Sequence, residues 1–399
     1  MKSKIKFKHK VWMVTRIDQC VLLAKYLNDI GLLIRWDSFI RLSKSGLLKY
    51  FFKFSKRIMT DKLSNIKGNH FLPEIISRFL KFVGYKKHIL FKDLILAKLA
   101  AAGYSNSFDI LHGQGPYCLE AAKLAKKNGK IFVYEISGQM QKTRIKQLKK
   151  IHNKYNIPLD TGISFLQNRR IEEAKIADAI VCPSNIVKKE LSKLGYDKKK
   201  IFTYNHDSIL SKELISLKKK QTKKIQLLFV GEISISKGVQ HVINIQKKLK
   251  LSGIQSELNL FGNTKHNFLL YELDKFNIHY HGLVRKNILK KYYLKSDIFI
   301  FPSYTEGSAL VIYEAMAAGL PIITSKESGS ITKHNINGYI CNPHDEEKIF
   351  NYTKRLINQK KLRIQMGKNS RRIYSKEMKY SYPEQLIKIY SKIININAS

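Results

Sequence analysis

Two carboxylates in the stretch FPSYTEGSALVIYEAMAAGLPIIT (301–324), Glu306 and Glu314, have seven residues between them. The stretch reads as a strand, FIFPS, a turn, YTEG, and a short helix, SALVIYEAMAA, stopped by Gly319 and Pro321. Ser308 fits the N-cap of that helix. The amides of Ala309, Leu310 and Val311 would then be free at its positive end, where a phosphate binds. Carboxylates repel phosphate but accept hydrogen bonds from hydroxyl groups. Glu306 precedes the helix and Glu314 lies ~9 Å beyond the cap, at ~1.5 Å per residue. A nucleotide-sugar has this layout: hydroxyls at both ends and a diphosphate between. Glu306 and Glu314 are therefore candidates for the two polyols, with the start of the helix at the charged centre.

A cation is expected nearby. FVGEISISKG (229–238) reads as a strand, a turn at Gly231, and Lys237 beside Gly238. A lysine there would point into the same cleft and neutralise a diphosphate. A further loop, Val284 to Lys286, lies on the same rim and brings Arg285 with it. In the first half of the chain, His112, Gly113 and Gly115 follow one apolar run, and Glu135 and Gly138 follow another. All fall at strand ends, where open parallel sheets bind ligands. His279 and His281 alternate along a strand and read as structural rather than as a metal pair. Arg169 and Arg170 precede an acidic helix start and read as surface ion pairs.

These residues need two α/β sheets to position them. VWMVT (11–15), QCVLLAKYLNDIG (19–31) and LLIRWDS (32–38) give strand, helix and strand, the parallel pattern. FDILHGQG, KIFVYEISG and DAIVCPS extend it. The polar run SKELISLKKKQTKK interrupts the alternation, which restarts at IQLLFVGE (225–232) and continues through ELNLFGN, IHYHGLV, DIFIFPS and LPIITS. The expected fold class is α/β, with two Rossmann-like, doubly wound domains facing each other across a cleft. The boundaries are 1–208 for an acceptor domain, completed by a crossing helix at 378–399; 209–224 for a linker; and 225–377 for a donor domain. A chain of 399 residues suits two cores.

Hydrophobic residues make up 44% of the chain, which excludes disorder. The four cysteines are far apart, which excludes a disulfide framework or zinc site and fits a reducing cytoplasm. No secretory signal or membrane-spanning run is expected. The formal net charge of +43 has two sources: lysine spent on solvated faces, and an anionic partner such as a membrane surface or nucleotide-bearing substrate. In RLSKSGLLKYFFKFSKRIM (41–59) an apolar stripe is flanked by basic residues, which suits either a helix in a membrane interface or one packed on its own domain. A non-catalytic binder of anionic polymers would also use the charge, but no nucleic-acid motif is present.

The run from Lys237–Gly238 through SDIFIFPSYTEGSALVIYEAMAAGLPIITS to NGYICNPHDEEKI resembles the C-terminal half of retaining glycosyltransferases of family 4 (group 1 glycosyltransferases), which have the GT-B fold. FDILHGQGP and EEAKIADAIVCPSNIVKKELSKLG resemble the N-domain of that family, and YSYPEQLIKIYSKI its closing helix. The resemblance implies that Glu306 sits near the donor sugar and Glu314 on the ribose. Lys237 would bind the diphosphate, Gly307 to Leu310 would supply backbone contacts, and Val284 would line the base pocket. His112 would approach the sugar from the N-domain, with Gly113, Gly115 and Glu135 on the acceptor side. The implied reaction is transfer from a nucleotide-diphosphate-sugar to a glycan or lipid-linked acceptor with retention, in which the leaving phosphate takes the acceptor proton. No cofactor or metal is implied, and no Asp-x-Asp motif is present. An epimerase or sugar-phosphate synthase would use the same cleft. Three positions depart from the family pattern: Glu232 replaces an arginine, for which Arg285 is a candidate substitute; TRID (15–18) replaces a Gly-Gly loop; and Glu135 replaces a histidine.

Overall fold

Apolar runs too short for helices form two parallel sheets in the computed structural model, which describes residues 7–16, 20–43, 45, 58–206 and 208–398. The first sheet holds β1 (Val11–Val14), β2 (Leu33–Phe39), β3 (Asn69–His70), β4 (Ile110–Gln114), β5 (Ile131–Glu135), β6 (Ala179–Cys182) and β7 (Ile201–Thr203), in the order β3-β2-β1-β4-β5-β6-β7. The second holds β8 (Ile225–Val230), β9 (Ser256–Phe261), β10 (Ile278–Tyr280), β11 (Ile298–Phe301), β12 (Ile322–Ser325) and β13 (Gly338–Cys341), in the order β10-β9-β8-β11-β12-β13. Each order reverses once, between β1 and β4 and between β8 and β11. Such a switch point opens a crevice at the C-terminal ends of the strands.

Alternation along β1 shows why the first sheet is buried on both faces. Trp12 and Val14 enter one apolar cluster, Val11 and Met13 the other. The helices that bear on function are α1 (Cys20–Asp29), α2 (Leu72–Phe82), α3 (His88–Ala102), α4 (Ser164–Ile176), α5 (Ile209–Leu214), α6 (Val239–Leu251), α7 (Lys286–Lys295), α8 (Leu310–Ala317) and α9 (Tyr382–Ala398). The expected linker is partly helical: α5 buries Leu210 and Leu214 in the core of the second sheet, so the polar run that leaves it is shorter than the sequence suggested. α9 returns to the first sheet, where Tyr382, Leu386, Tyr390 and Ile393 share a cluster with β1 and α1. The basic stretch 41–59 begins and ends as short paired strands, Leu42–Ser43 with Ile58–Met59, not as helix; residues 46–57, its centre, lie outside the described residues.

A buried polar network fastens α9 in place. Tyr204 and Tyr382 each donate to the Glu135 carboxylate at 2.7 Å, and His112 Nε2 donates at 2.9 Å. Tyr390 donates to His112 Nδ1 at 2.8 Å. Burial pushes the Glu135 pKa up, but its three donors more than offset this and hold it below the usual range. His112 and Glu135 are thus fully enclosed, contrary to the expectation that they face a ligand. The expected partner was a substrate; the actual partners are three tyrosines from distant parts of the chain.

The acceptor-side glycines are also packing positions. A Cβ on Gly113 would meet Cys118 Sγ at 2.7 Å, and one on Gly115 would lie 2.0 Å from Glu173 Oε2 and 2.1 Å from the Tyr134 hydroxyl. Arg169 is likewise buried rather than on the surface. It clamps Glu120 through two guanidinium nitrogens, at 2.7 and 2.5 Å, and donates to the Pro116 carbonyl at 2.9 Å.

Glu173, on α4, has no exposed surface, and burial raises its pKa to about 7 against the donation from the Cys118 amide. The folded carboxyl therefore keeps its proton at pH values where the unfolded one has lost it. Stability must fall as pH rises from about 4.5 toward about 7 and level off above. Glu173→Gln removes this penalty, so urea unfolding should show a gain of about 3 kcal/mol at pH 8 and little at pH 4.5. An equal gain at both pH values would contradict the assignment.

Candidate functional site

The crevice at the β8/β11 switch point contains the sequence's cation and its first glutamate. β8 ends at Val230, and the chain reaches Lys237 in a 3-10 turn closed by Gly238, whose φ is +73°. A Cβ there would meet the Pro302 carbonyl at 2.2 Å, so both the backbone conformation and the close approach to the end of β11 require glycine. This contact brings Lys237 against the turn after β11. Lys237 Nζ forms an ion pair with Glu306 Oε1, and Ser303 Oγ donates to the same oxygen at 3.1 Å. Both charged side chains keep some exposure, so the pair lines the crevice rather than the core.

α8 starts next to this pair, but not as the sequence suggested. Ala309, not Ser308, is the N-cap residue; Ser308 bonds the Tyr313 hydroxyl at 3.1 Å instead. The Ala309 amide, expected to be free for a phosphate, donates to the Ser328 carbonyl at 2.9 Å. Leu310 and Val311 are in the first turn, whose amides lie outside the helix's own hydrogen-bond ladder. The anion site is therefore narrower than expected, by one amide.

Glu314 departs further from expectation. It is only 8% exposed, and its two oxygens are occupied separately: Ser208 donates to Oε1 at 3.0 Å and Tyr293, on α7, to Oε2 at 2.9 Å. Burial raises its pKa, opposed by those two hydroxyls and by the nearby charge of Lys286. It does not present a carboxylate to an open cleft. Nothing local marks Ser208 or Tyr293 as partners of Glu314, because neither falls at a strand end.

The first domain closes over Glu306. Gln139, after β5, accepts from Thr305 at 2.7 Å, and Ser184, after β6, donates to the Gly307 carbonyl at 2.5 Å. Gly307 packs so tightly on the 137–138 loop that a Cβ would meet the Ser137 carbonyl at 2.2 Å. The strand-end rule that selected Glu135 and Gly138 applied equally to Ser184 in DAIVCPS and had missed it. Gly231 donates its amide to Phe261 at 2.8 Å, and Val284 is half-buried against the second core. Arg285 is exposed at the N-cap of α7 and forms no ion pair among the described residues. Burial and the neighbouring Lys265 and His152 lower the His266 pKa, opposed only in part by the charge of Glu232.

His281 stacks on Phe261 at 4.4 Å and bonds Asn259 at 2.9 Å, a structural role as read. Cys20, His112 and Glu135 bring possible ligand atoms within 4.8 Å of one another, but the tyrosine network already engages the histidine and the carboxylate.

Comparison with known proteins assigns the second domain. Residues 211–373 match the family model described as glycosyl transferases group 1. The matched segment runs from within α5 through the second sheet. Over 190 residues the chain is 33% identical to spore coat protein SA of Bacillus subtilis, covering 43% of this chain and 49% of that one. An uncharacterized 41.2 kDa protein in the cps region of Klebsiella pneumoniae is 29% identical, with 44% and 51% covered. N-acetyl-alpha-D-glucosaminyl L-malate synthase of Bacillus anthracis is 25% identical, with 70% and 73% covered. Several of the matched segments thus span about half the length of the curated relatives. Among solved structures, Anabaena HepE in complex with UDP-glucose superposes with a TM-score of 0.62 at 13% identity, covering 98% of this chain and all of that one. A UDP-forming trehalose-phosphate synthase from Burkholderia xenovorans gives 0.66 at 10%, with the same coverage. At such identities the likeness concerns the fold, which is GT-B. The matched segment contains the switch-point crevice with Lys237 and Glu306.

The Lys237–Gly238 turn predicts its own sensitivity. Gly238→Ala forces φ +73° on an L-residue and pushes Pro302 away, and should cost about 1–3 kcal/mol in urea unfolding. Wild-type stability in that variant would mean the turn does not depend on the contact.

Proposed function

We propose that this chain transfers a hexosyl-type sugar from a nucleotide-diphosphate-sugar to a glycan or lipid-linked acceptor, with retention of configuration and without a metal. The place would be the cytoplasm, in cell-surface polysaccharide or glycolipid synthesis. The observation that carries this reading is the Lys237–Glu306 pair, partly exposed at the switch point of the segment that matches the group 1 glycosyltransferase model. The Klebsiella relative lies in a cps region and a structural neighbour holds UDP-glucose, which supports the donor and pathway classes. Four buried free thiols suit a reducing compartment.

In this mechanism the donor diphosphate replaces Glu306 as partner of Lys237. Lysine and the first turn of α8 then stabilise charge developing on the leaving diphosphate. Glu306, released from its ion pair, accepts hydrogen bonds from the sugar hydroxyls. Ser208 and Tyr293 occupy Glu314 as a vicinal diol would, one hydroxyl per oxygen, so ribose binding there is an exchange of hydroxyl donors that needs the connector at Ser208 to shift. The acceptor proton goes to the departing phosphate oxygen, so no enclosed residue such as His112 need act as base.

Lys237→Ala and Glu306→Gln separate the roles. With UDP-, GDP- and ADP-sugars screened by thermal shift, one donor should stabilise the wild type. Lys237→Ala should lose that shift, while Glu306→Gln keeps the fold and drops turnover by roughly 10²–10³. Full activity in Glu306→Gln, or a shift with DNA but with no donor, would overturn the reading.

A further inference from the structure

α2 is amphipathic in the wrong sense for a helix on a globular surface. Two of its polar residues face inward: Glu74 is buried and pairs with Lys92 of α3 at 2.8 Å, and Ser77 bonds His88 at 2.9 Å. Its apolar residues face outward. Leu72, Ile75, Phe79 and Phe82, at spacings of three and four, form one exposed stripe that continues into Val83. Phe82 is 89% exposed. The turn and the start of α3 extend the patch with Tyr85, Ile89 and Phe91, so eight of the twenty large apolar side chains exposed among the described residues fall within 72–91. Single exposed apolar residues are ordinary; a contiguous patch on an inverted helix is not.

The charges around the patch identify its partner. Between residues 72 and 102 the only acids are Glu74 and Asp93, and both are buried. The exposed charges are Arg78, Lys81, Lys86, Lys87 and Lys98, all positive. A second copy of this chain would bring like charges face to face, and the chain as a whole carries +43. An anionic lipid surface meets both demands: acyl chains for the stripe and headgroup phosphates for the basic rim. Among the described residues no helix is long and apolar enough to cross a membrane, so this contact lies in the interface plane.

We propose that α2 and the turn into α3 dock the protein on anionic membrane by inserting the Leu72–Phe82 stripe. This surface is distinct from the basic stretch 41–59, and the proposal stands independently of the transfer reaction.

The test is sedimentation of the full chain with vesicles of phosphatidylcholine alone or with phosphatidylglycerol, at low and high salt. Wild type should bind the anionic vesicles, lose them at high salt, and ignore the neutral ones. Phe79→Ser with Phe82→Ser should weaken binding at least about tenfold without lowering the melting temperature. Replacing Lys81, Lys86 and Lys87 by Gln should weaken it by roughly fivefold per lysine. A fluorophore on Phe82→Cys should shift to the blue only when anionic vesicles are added. Three results would overturn the proposal: unchanged binding in the phenylalanine variant, a lipid-free change in its oligomeric state, or a fluorophore already shielded before lipid is present.

Discussion

The ion pair between Lys237 and Glu306 is the interaction on which the site depends. The two residues come from the ends of neighbouring parallel strands, where the strand order reverses and helices diverge. A lysine in such a crevice without a counter-charge would pay a desolvation cost, which Glu306 offsets. Partial exposure makes the pair weak enough to be exchanged. A more negative partner, with two phosphates near the start of α8, competes for the same ammonium.

The rest of the crevice follows the same logic. Glu314 is held by two hydroxyls and the 305–307 turn by Gln139 and Ser184 from the opposite domain. Each of these contacts is made by a neutral hydroxyl or amide rather than by a charge. The contact of Gly307 with Ser137 makes the two domains meet at the residue next to Glu306, so access to the pair and movement of the domains are one event. By contrast, the Glu135 network is a closed interior. Its donors come from α9 and from the ends of β4 and β7, and its task is to hold the crossing helix against the first sheet.

The fold was legible because parallel strands buried on both faces read as continuous apolar runs, and both sheets have them. Lys237–Gly238 and Glu306 were legible for a local reason: each lies just past such a run. His112 and Glu135 satisfied the same rule and still turned inward, since what encloses them (Tyr204, Tyr382 and Tyr390) is brought in by tertiary structure and leaves no trace near positions 112 or 135. Arg169 was misplaced for the same reason; its partners Glu120 and Pro116 are some fifty residues away. The N-cap of α8 shifted by one residue because Ser328, in the 3-10 turn after β12, took the Ala309 amide. The inverted face of α2 is visible in its spacing, but which face is inward depends on Lys92 and His88, which periodicity alone does not reveal.

A structure of the chain with UDP, or with whichever nucleoside diphosphate stabilises it, tests the central claim most directly. The account predicts phosphate oxygens within hydrogen-bond distance of Lys237 Nζ and the Leu310 and Val311 amides, with Glu306 turned away from the lysine. A nucleotide bound elsewhere, with the lysine still paired to Glu306, would contradict it.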